Sequence, residues 1–142
     1  MIEVLVADDH AFFRAAVVDL LTGAGDTAVV AECSDGAQVL PAYHRVRPDV
    51  VLLDMAMPGA TGLEAAEAVL TADPAARVLM LTGDASPESV LEARRLGVAG
   101  YLLKDDDPTL LPAHVRTVTS GGTVWSAQVR ALVEGHGDAP RS

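Results

Sequence analysis

Five short apolar, β-branched runs recur along this chain, at Ile2–Ala7, Ala28–Cys33, Val50–Leu53, Val78–Leu81 and Val98–Leu103. Nothing else in the sequence restricts the fold as strongly. The runs are continuous rather than alternating, as suits parallel strands covered on both faces. Helical patterns lie between them. Phe13, Val17, Leu20 and Leu21 recur at helical spacing, and Gly23 follows as a stop. Ala37–Val46 is a shorter helix, kinked or ragged at its start by Pro41. Gly62–Ala72 is Ala-rich and ends before Asp73-Pro74. Ser86-Pro87-Glu88-Ser89 opens a helix that runs to about Leu96, with Ser as N-cap, Pro at the first helical position, and Gly97 as its end. Asp107-Pro108 opens another in the same way, carrying Leu110, Leu111, Val115 and Val118. This β-α alternation predicts an α/β fold, a doubly wound parallel sheet with right-handed crossovers.

The last part of the chain follows a different pattern. After Gly121-Gly122, Thr123-Val124-Trp125 leads to Ser126 and then to Val129, Leu132 and Val133 at helical spacing. Residues 121–134 therefore read as a short extra helix capped by Ser126, with Trp125 packing it onto the body. Residues 135–142 are polar and Gly/Pro-rich, a linker or tail. The 142 residues suit one domain with a proper core. No apolar run approaches the roughly 20 residues that span a bilayer, and Met1-Ile2-Glu3-Val4 lacks a secretory leader's basic start. A cytoplasmic protein with no membrane contact is expected. Cys33, the sole cysteine, reads as a small buried hydrophobe at a strand end. A net charge of −10 excludes this segment as a DNA binder in its own right.

The runs also end on chemistry. Asp8-Asp9, Asp54, Thr82 and Lys104 each follow one of them. Ligands of open parallel sheets bind at the strands' carboxyl ends, so parallel neighbours would gather three carboxylates, a hydroxyl and an ammonium in one pocket. Asp54, ahead of Met57-Pro58-Gly59, is placed to act as a nucleophile toward phosphorus. Such a transfer needs positioning and charge neutralisation more than a base. Mg²⁺ prefers oxygen ligands; Asp9 and Asp54 are the direct candidates, Asp8 contacts it through water, and the Ala56 carbonyl completes the set. Lys104 faces the phosphoryl oxygens as a point charge, and Thr82 offers its hydroxyl to one of them. Taken singly, each residue has an ordinary explanation: a turn Asp, an N-cap pair, a solvated charge cluster. Four strand ends carrying the right chemical types together do not.

With Asp8-Asp9, Asp54, Met57-Pro58-Gly59, Thr82 and Gly100-Tyr101-Leu102-Leu103-Lys104 in order, the first 120 residues resemble the receiver domain of bacterial two-component response regulators. The Gly100–Asp105 stretch and Ser120-Gly121-Gly122-Thr123-Val124-Trp125-Ser126 resemble the NarL/LuxR type of transcriptional regulator. The resemblance implies a flavodoxin/CheY-like, five-stranded sheet of order 2-1-3-4-5. It implies Asp54 as phospho-acceptor, Asp8, Asp9 and Asp54 as the magnesium site, and Thr82 with Tyr101 as a switch pair. It further implies a sensor histidine kinase as phosphodonor, a homodimer as one readout, and DNA contact only through a C-terminal output domain that this chain lacks. On this reading Thr82 moves toward the phosphoryl group, and Tyr101 enters the space it leaves.

Ala56 and Gly83 are small, which predicts a pocket open to small phosphodonors and to water. Phe12 and Phe13 read as core or pocket-rim residues, and His10 as a helix-start residue within reach of the site. His44, His114 and His136 have no metal spacing. The other readings are a stand-alone receiver acting through protein contacts, a degenerate receiver, and a haloacid dehalogenase-like phosphatase. The last wants an acid two residues past its nucleophile, where this chain has Ala56, so an enzyme of that kind is not expected.

Overall fold

Parallel pairing of the apolar runs builds the sheet, and the computed structural model describes residues 1–138. In chain order the elements are β1 (Ile2–Ala7), α1 (Ala11–Gly23), β2 (Thr27–Cys33), α2 (Val39–Val46), β3 (Val50–Leu53), α3 (Gly62–Ala72), β4 (Val78–Thr82), α4 (Pro87–Leu96), β5 (Gly100–Leu103), α5 (Leu111–Thr119), β6 (Val124–Trp125) and α6 (Ala127–Asp138). Short 3-10 turns at Gly36–Gln38 and Pro108–Leu110 lead into α2 and α5. The ragged start expected of α2 is thus a separate turn, and Pro41 falls in the helix's first turn, where a missing N–H costs nothing.

The sheet is parallel throughout, in the order β2-β1-β3-β4-β5-β6. Strand alternation sorts its side chains into two cores. Leu5, Val51, Leu53, Met80, Tyr101 and Leu103 face α2, α3 and α4, whose contributions include Tyr43, Val69 and Val90. Val4, Val6, Val50, Leu52, Leu79 and Leu102 face α1 and α5, which add Val17, Leu21, Leu111 and Val115. Burial on both faces is why the strands read as unbroken apolar runs. Cys33 lies buried at the end of β2 in the first core, and burial pushes its thiol up.

Three expectations need correction. The sheet has six strands, not five: Val124 and Trp125 pair with Gly100 and Tyr101 in parallel register. Gly100 permits this, because a Cβ there would stand 2.2 Å from the Val124 carbonyl oxygen. The C-terminal helix continues to Asp138, past the point where the sequence pattern fades, and 139–142 of the expected tail fall outside the described residues. Phe12 is neither core nor rim, with 91% of its surface exposed.

Ser126 joins the last helix to the sheet. Its N–H donates to the Tyr101 carbonyl at 2.9 Å, and its carbonyl accepts the first N–H groups of α6 from Val129 and Arg130. Its hydroxyl donates to Asp106 Oδ1 at 3.0 Å rather than standing free as a cap. The other Asp106 oxygen accepts the Leu103 N–H at 3.1 Å, so a single carboxylate ties the end of β5 to the start of α6. Val129 is buried and Trp125, Leu132 and Val133 pack on the same core.

Candidate functional site

The carboxyl ends of β1, β3, β4 and β5 lie side by side, because those strands are neighbours in register. The Asp54 N–H donates to the Ala7 carbonyl at 2.9 Å, and the Lys104 N–H to the Thr82 carbonyl at the same distance. These main-chain bonds carry the ladder one residue past the strands and set the functional side chains over the sheet edge. The loop after Asp54 is held from below by α3. The Gly62 N–H donates to the Met55 carbonyl at 2.8 Å, and a Cβ on Gly62 would lie 2.1 Å from the Asp54 carbonyl oxygen. No other residue allows that approach. Thr61 and Glu64 close a reciprocal capping box that fixes the same corner.

Asp8 and Asp54 are both buried, at 3% exposure. Lys104 Nζ bridges them, 2.9 Å from Asp8 Oδ2 and 3.3 Å from Asp54 Oδ2. Its ammonium also sits 4.3 Å from the centre of the Phe13 ring, a cation–π contact that fixes its approach. Beyond Phe13, an apolar cavity of about 260 Å³ separates α1 from α5, bordered by Leu20, Leu102, Leu111 and Lys104. Asp54 Oδ1 accepts the Met55 N–H at 2.7 Å, which leaves Oδ2 facing the ammonium. Arg14 holds the Asp8 carbonyl at 2.6 Å. Asp9 stands at the rim, with 35% of its side chain exposed, and Ala56 is exposed on the loop two residues past Asp54.

The structure therefore brings Asp8, Asp9, Asp54 and Lys104 together as the sequence pattern implies. It adds His10, whose Nδ1 lies 3.0 Å from Asp8 Oδ1, 3.3 Å from Asp9 Oδ1 and 3.7 Å from Asp54 Oδ2. His10 occupies the N-cap of α1 without using its side chain there. One ligand atom from each of Asp8, Asp9, His10 and Asp54 falls within 4.8 Å of the others. Three hard oxygen donors at the edge of water, with one ammonium between two of them, form a set that fits a divalent cation such as Mg²⁺.

Thr82 is buried at the end of β4, and its hydroxyl accepts the Asp84 N–H at 3.1 Å. Tyr101 is already inside the molecule, fully buried, rather than waiting to enter. Its hydroxyl donates to the Asp84 carbonyl, so it is tethered to the loop between β4 and α4. The Asp84 carboxylate organises that loop, accepting from the Ser86 N–H at 2.9 Å and the Ser89 hydroxyl at 2.7 Å. Burial works against its charge, and those hydrogen bonds outweigh it to hold the carboxyl below its usual range. Beside it Gly83 is exposed, and a Cβ there would meet no atom within 4 Å.

The profile of the response regulator receiver domain family matches residues 4–116. The chain is similar to the probable transcriptional regulatory protein NarL of Mycobacterium tuberculosis, 39% identical over 123 residues, covering 87% of this chain and 57% of that protein. It is also similar to the nitrate/nitrite response regulator protein NarP of Escherichia coli, 35% identical over 127 residues, covering 89% of this chain and 59% of that protein. The chain thus spans less than two thirds of the length of these relatives. Among solved structures, the receiver domain of the M. tuberculosis NarL regulator superposes with a TM-score of 0.80 at 39% identity, covering 84% of this chain and 97% of that one. A LuxR-family response regulator from Aurantimonas gives a TM-score of 0.88 at 28% identity, covering 94% and 96%.

Proposed function

This chain belongs to the response regulator receiver domain family, and on that premise we propose that it is the phospho-accepting receiver of a NarL/LuxR-type transcriptional regulator. The observation that carries the proposal is the convergence of Asp8, Asp54 and Lys104, two buried carboxylates bridged by one ammonium at a sheet edge. Asp54 is the acceptor. Its Oδ1 is pinned by the Met55 N–H, and Oδ2, beside Lys104, takes the phosphoryl group from a histidine nitrogen of a sensor kinase. The N–P bond breaks as the O–P bond forms. Lys104 meets the incoming charge, and Asp8, Asp9, Asp54 and the Ala56 carbonyl hold Mg²⁺, which neutralises the phosphoryl oxygens when bound.

The added oxygens offer Thr82 a stronger hydrogen-bond partner than the Asp84 N–H it now accepts. A shift of Thr82 loosens Asp84, and with it the loop that Tyr101 tethers. The signal then reaches β5 and α4 through groups already in contact. Its readout in the whole protein is a homodimer and a C-terminal DNA-binding domain. Receivers of this kind take phosphoryl groups from small donors and lose them to water, while Ala56 denies the site the general acid a phosphomonoesterase needs. The body of the chain, residues 1–120, is the receiver; the helix α6 is an appended element that packs against α4.

Incubation with acetyl phosphate tests this by intact mass. One phosphoryl adduct is expected, dependent on Mg²⁺ and removed by hydroxylamine as an acyl phosphate should be. No adduct from acetyl phosphate or phosphoramidate would overturn the acceptor reading and favour a receiver that acts only through protein contacts.

A further inference from the structure

We infer that His10 is a nitrogen ligand to the divalent ion of the acidic pocket and tilts its preference from Mg²⁺ toward the first-row transition ions, of which Mn²⁺ gains the least from an imidazole and still more than Mg²⁺. The inference rests on the reading of Asp8, Asp9 and Asp54 as a cation site. Around an ion with bonds of about 2.1 Å, neighbouring octahedral ligands stand about 3.0 Å apart and opposite ones about 4.2 Å. His10 Nδ1 is 3.0 Å from Asp8 Oδ1 and 3.3 Å from Asp9 Oδ1, and 3.7 Å from Asp54 Oδ2. The first two are close to the spacing of neighbouring ligands, the Asp8 contact serving as a hydrogen bond, and the third lies between neighbouring and opposite.

The backbone places the ring there. His10 is the N-cap of α1, and its own N–H donates to Asp8 Oδ1 at 2.8 Å, which fixes the Cα at the pocket mouth. Because the side chain makes no capping bond to the helix, its nitrogens are not committed elsewhere in α1. The ring is 61% exposed and meets Lys104 Nζ at 3.4 Å, the one cation beside it among the described residues. Oxygen-only sites suit Mg²⁺, whereas a site with one imidazole favours the first-row transition ions. His10 thus adds to an otherwise all-oxygen set the one donor that discriminates among divalent ions.

The experiment titrates Mg²⁺ and Mn²⁺ by calorimetry into the full chain, His10→Ala and Asp9→Asn, with pulsed electron paramagnetic resonance on the Mn²⁺ forms. His10→Ala should lose about fivefold to tenfold in Mn²⁺ affinity and less than about twofold in Mg²⁺ affinity. The wild-type Mn²⁺ spectrum should carry ¹⁴N modulation that vanishes in the variant. His10→Asn, which keeps a favourable N-cap, should lose the ¹⁴N signal too and so separates ligation from any helix defect. Equal losses for both ions, or a wild-type spectrum without ¹⁴N coupling, would overturn the inference and leave His10 as a hydrogen-bond partner of Asp8. If wild type binds neither ion, or Asp9→Asn binds both unchanged, the cation reading itself falls and takes this inference with it.

Discussion

Replacing Lys104 with methionine keeps the stem and removes the ammonium between two buried carboxylates. At an effective dielectric of about 20, charges 2.9 and 3.3 Å apart attract by roughly 5–6 kcal/mol each. Desolvation of the ammonium cancels much of that, and stripping one partner from a buried pair typically costs about 3–5 kcal/mol. Lys104 retains 19% exposure, which places the expected loss near the lower end, about 3 kcal/mol. In a chain of this length that is a fall of roughly 10 °C in melting temperature. The variant should also respond more to Mg²⁺ than wild type, because a bound cation replaces the missing charge. Urea or thermal unfolding with and without Mg²⁺ measures both. A Lys104→Met protein as stable as wild type without metal, or one gaining no more from Mg²⁺ than wild type, would refute the reasoning that this ammonium holds Asp8 and Asp54 together.

Three further outcomes follow from the same geometry. Both tyrosines of the chain should ionise late: burial and the hydrogen bond to Asp73 push Tyr43 up to about 12, and burial, with the Asp84 and Asp54 charges, raises Tyr101 as well. A phenol pKa raised by folding contributes stability that is complete below about pH 10 and is lost as pH climbs toward 12; near-UV phenolate absorbance should lag that of the unfolded chain, and coincident curves would contradict it. Tyr101→Phe and Ser126→Ala each remove one hydroxyl bond worth about 1 kcal/mol. Hydrogen exchange should quicken around Asp84–Ser86 in the first and in α6 in the second, with β1 and β3 unaffected in both. Ala56→Arg should lengthen the life of the phosphorylated form several-fold by covering an open pocket, as followed by the decay of the phosphoryl adduct, and an equal or shorter life would count against it.

The strands and the acidic pocket were legible because each depends on local patterns. A β-branched run buried on both faces looks the same wherever it occurs, and the residue at or just past its end lies at the carboxyl edge of a parallel sheet, which places Asp8, Asp54, Thr82 and Lys104 along one edge. What stayed hidden came from contacts distant in sequence. Val124-Trp125 is too short for a periodic signal, and it becomes β6 only because Gly100 lets its carbonyl approach. The Asp106–Ser126 tie spans 20 residues between two ordinary polar side chains. His10 carried a signal, its place directly after the acidic pair, but as an N-cap position it had an adequate local explanation. Phe12 looked like a core residue by type, yet helix phase decided otherwise: Val17 and Leu21 turn inward, while Phe12 faces solvent. The motif around Tyr101 marks it as a switch residue but carries no sign of its burial in the core or of its bond to the Asp84 carbonyl.

The central claim is that Asp54 itself carries the phosphoryl group, and borohydride trapping tests it most directly. Reduction of an aspartyl phosphate yields homoserine, which peptide mass mapping locates to a single residue. After treatment with acetyl phosphate and Mg²⁺, the account predicts homoserine at position 54 and nowhere else. Homoserine at Asp8 or Asp9, or an unmodified residue 54 in a protein that has taken up phosphate, would contradict it.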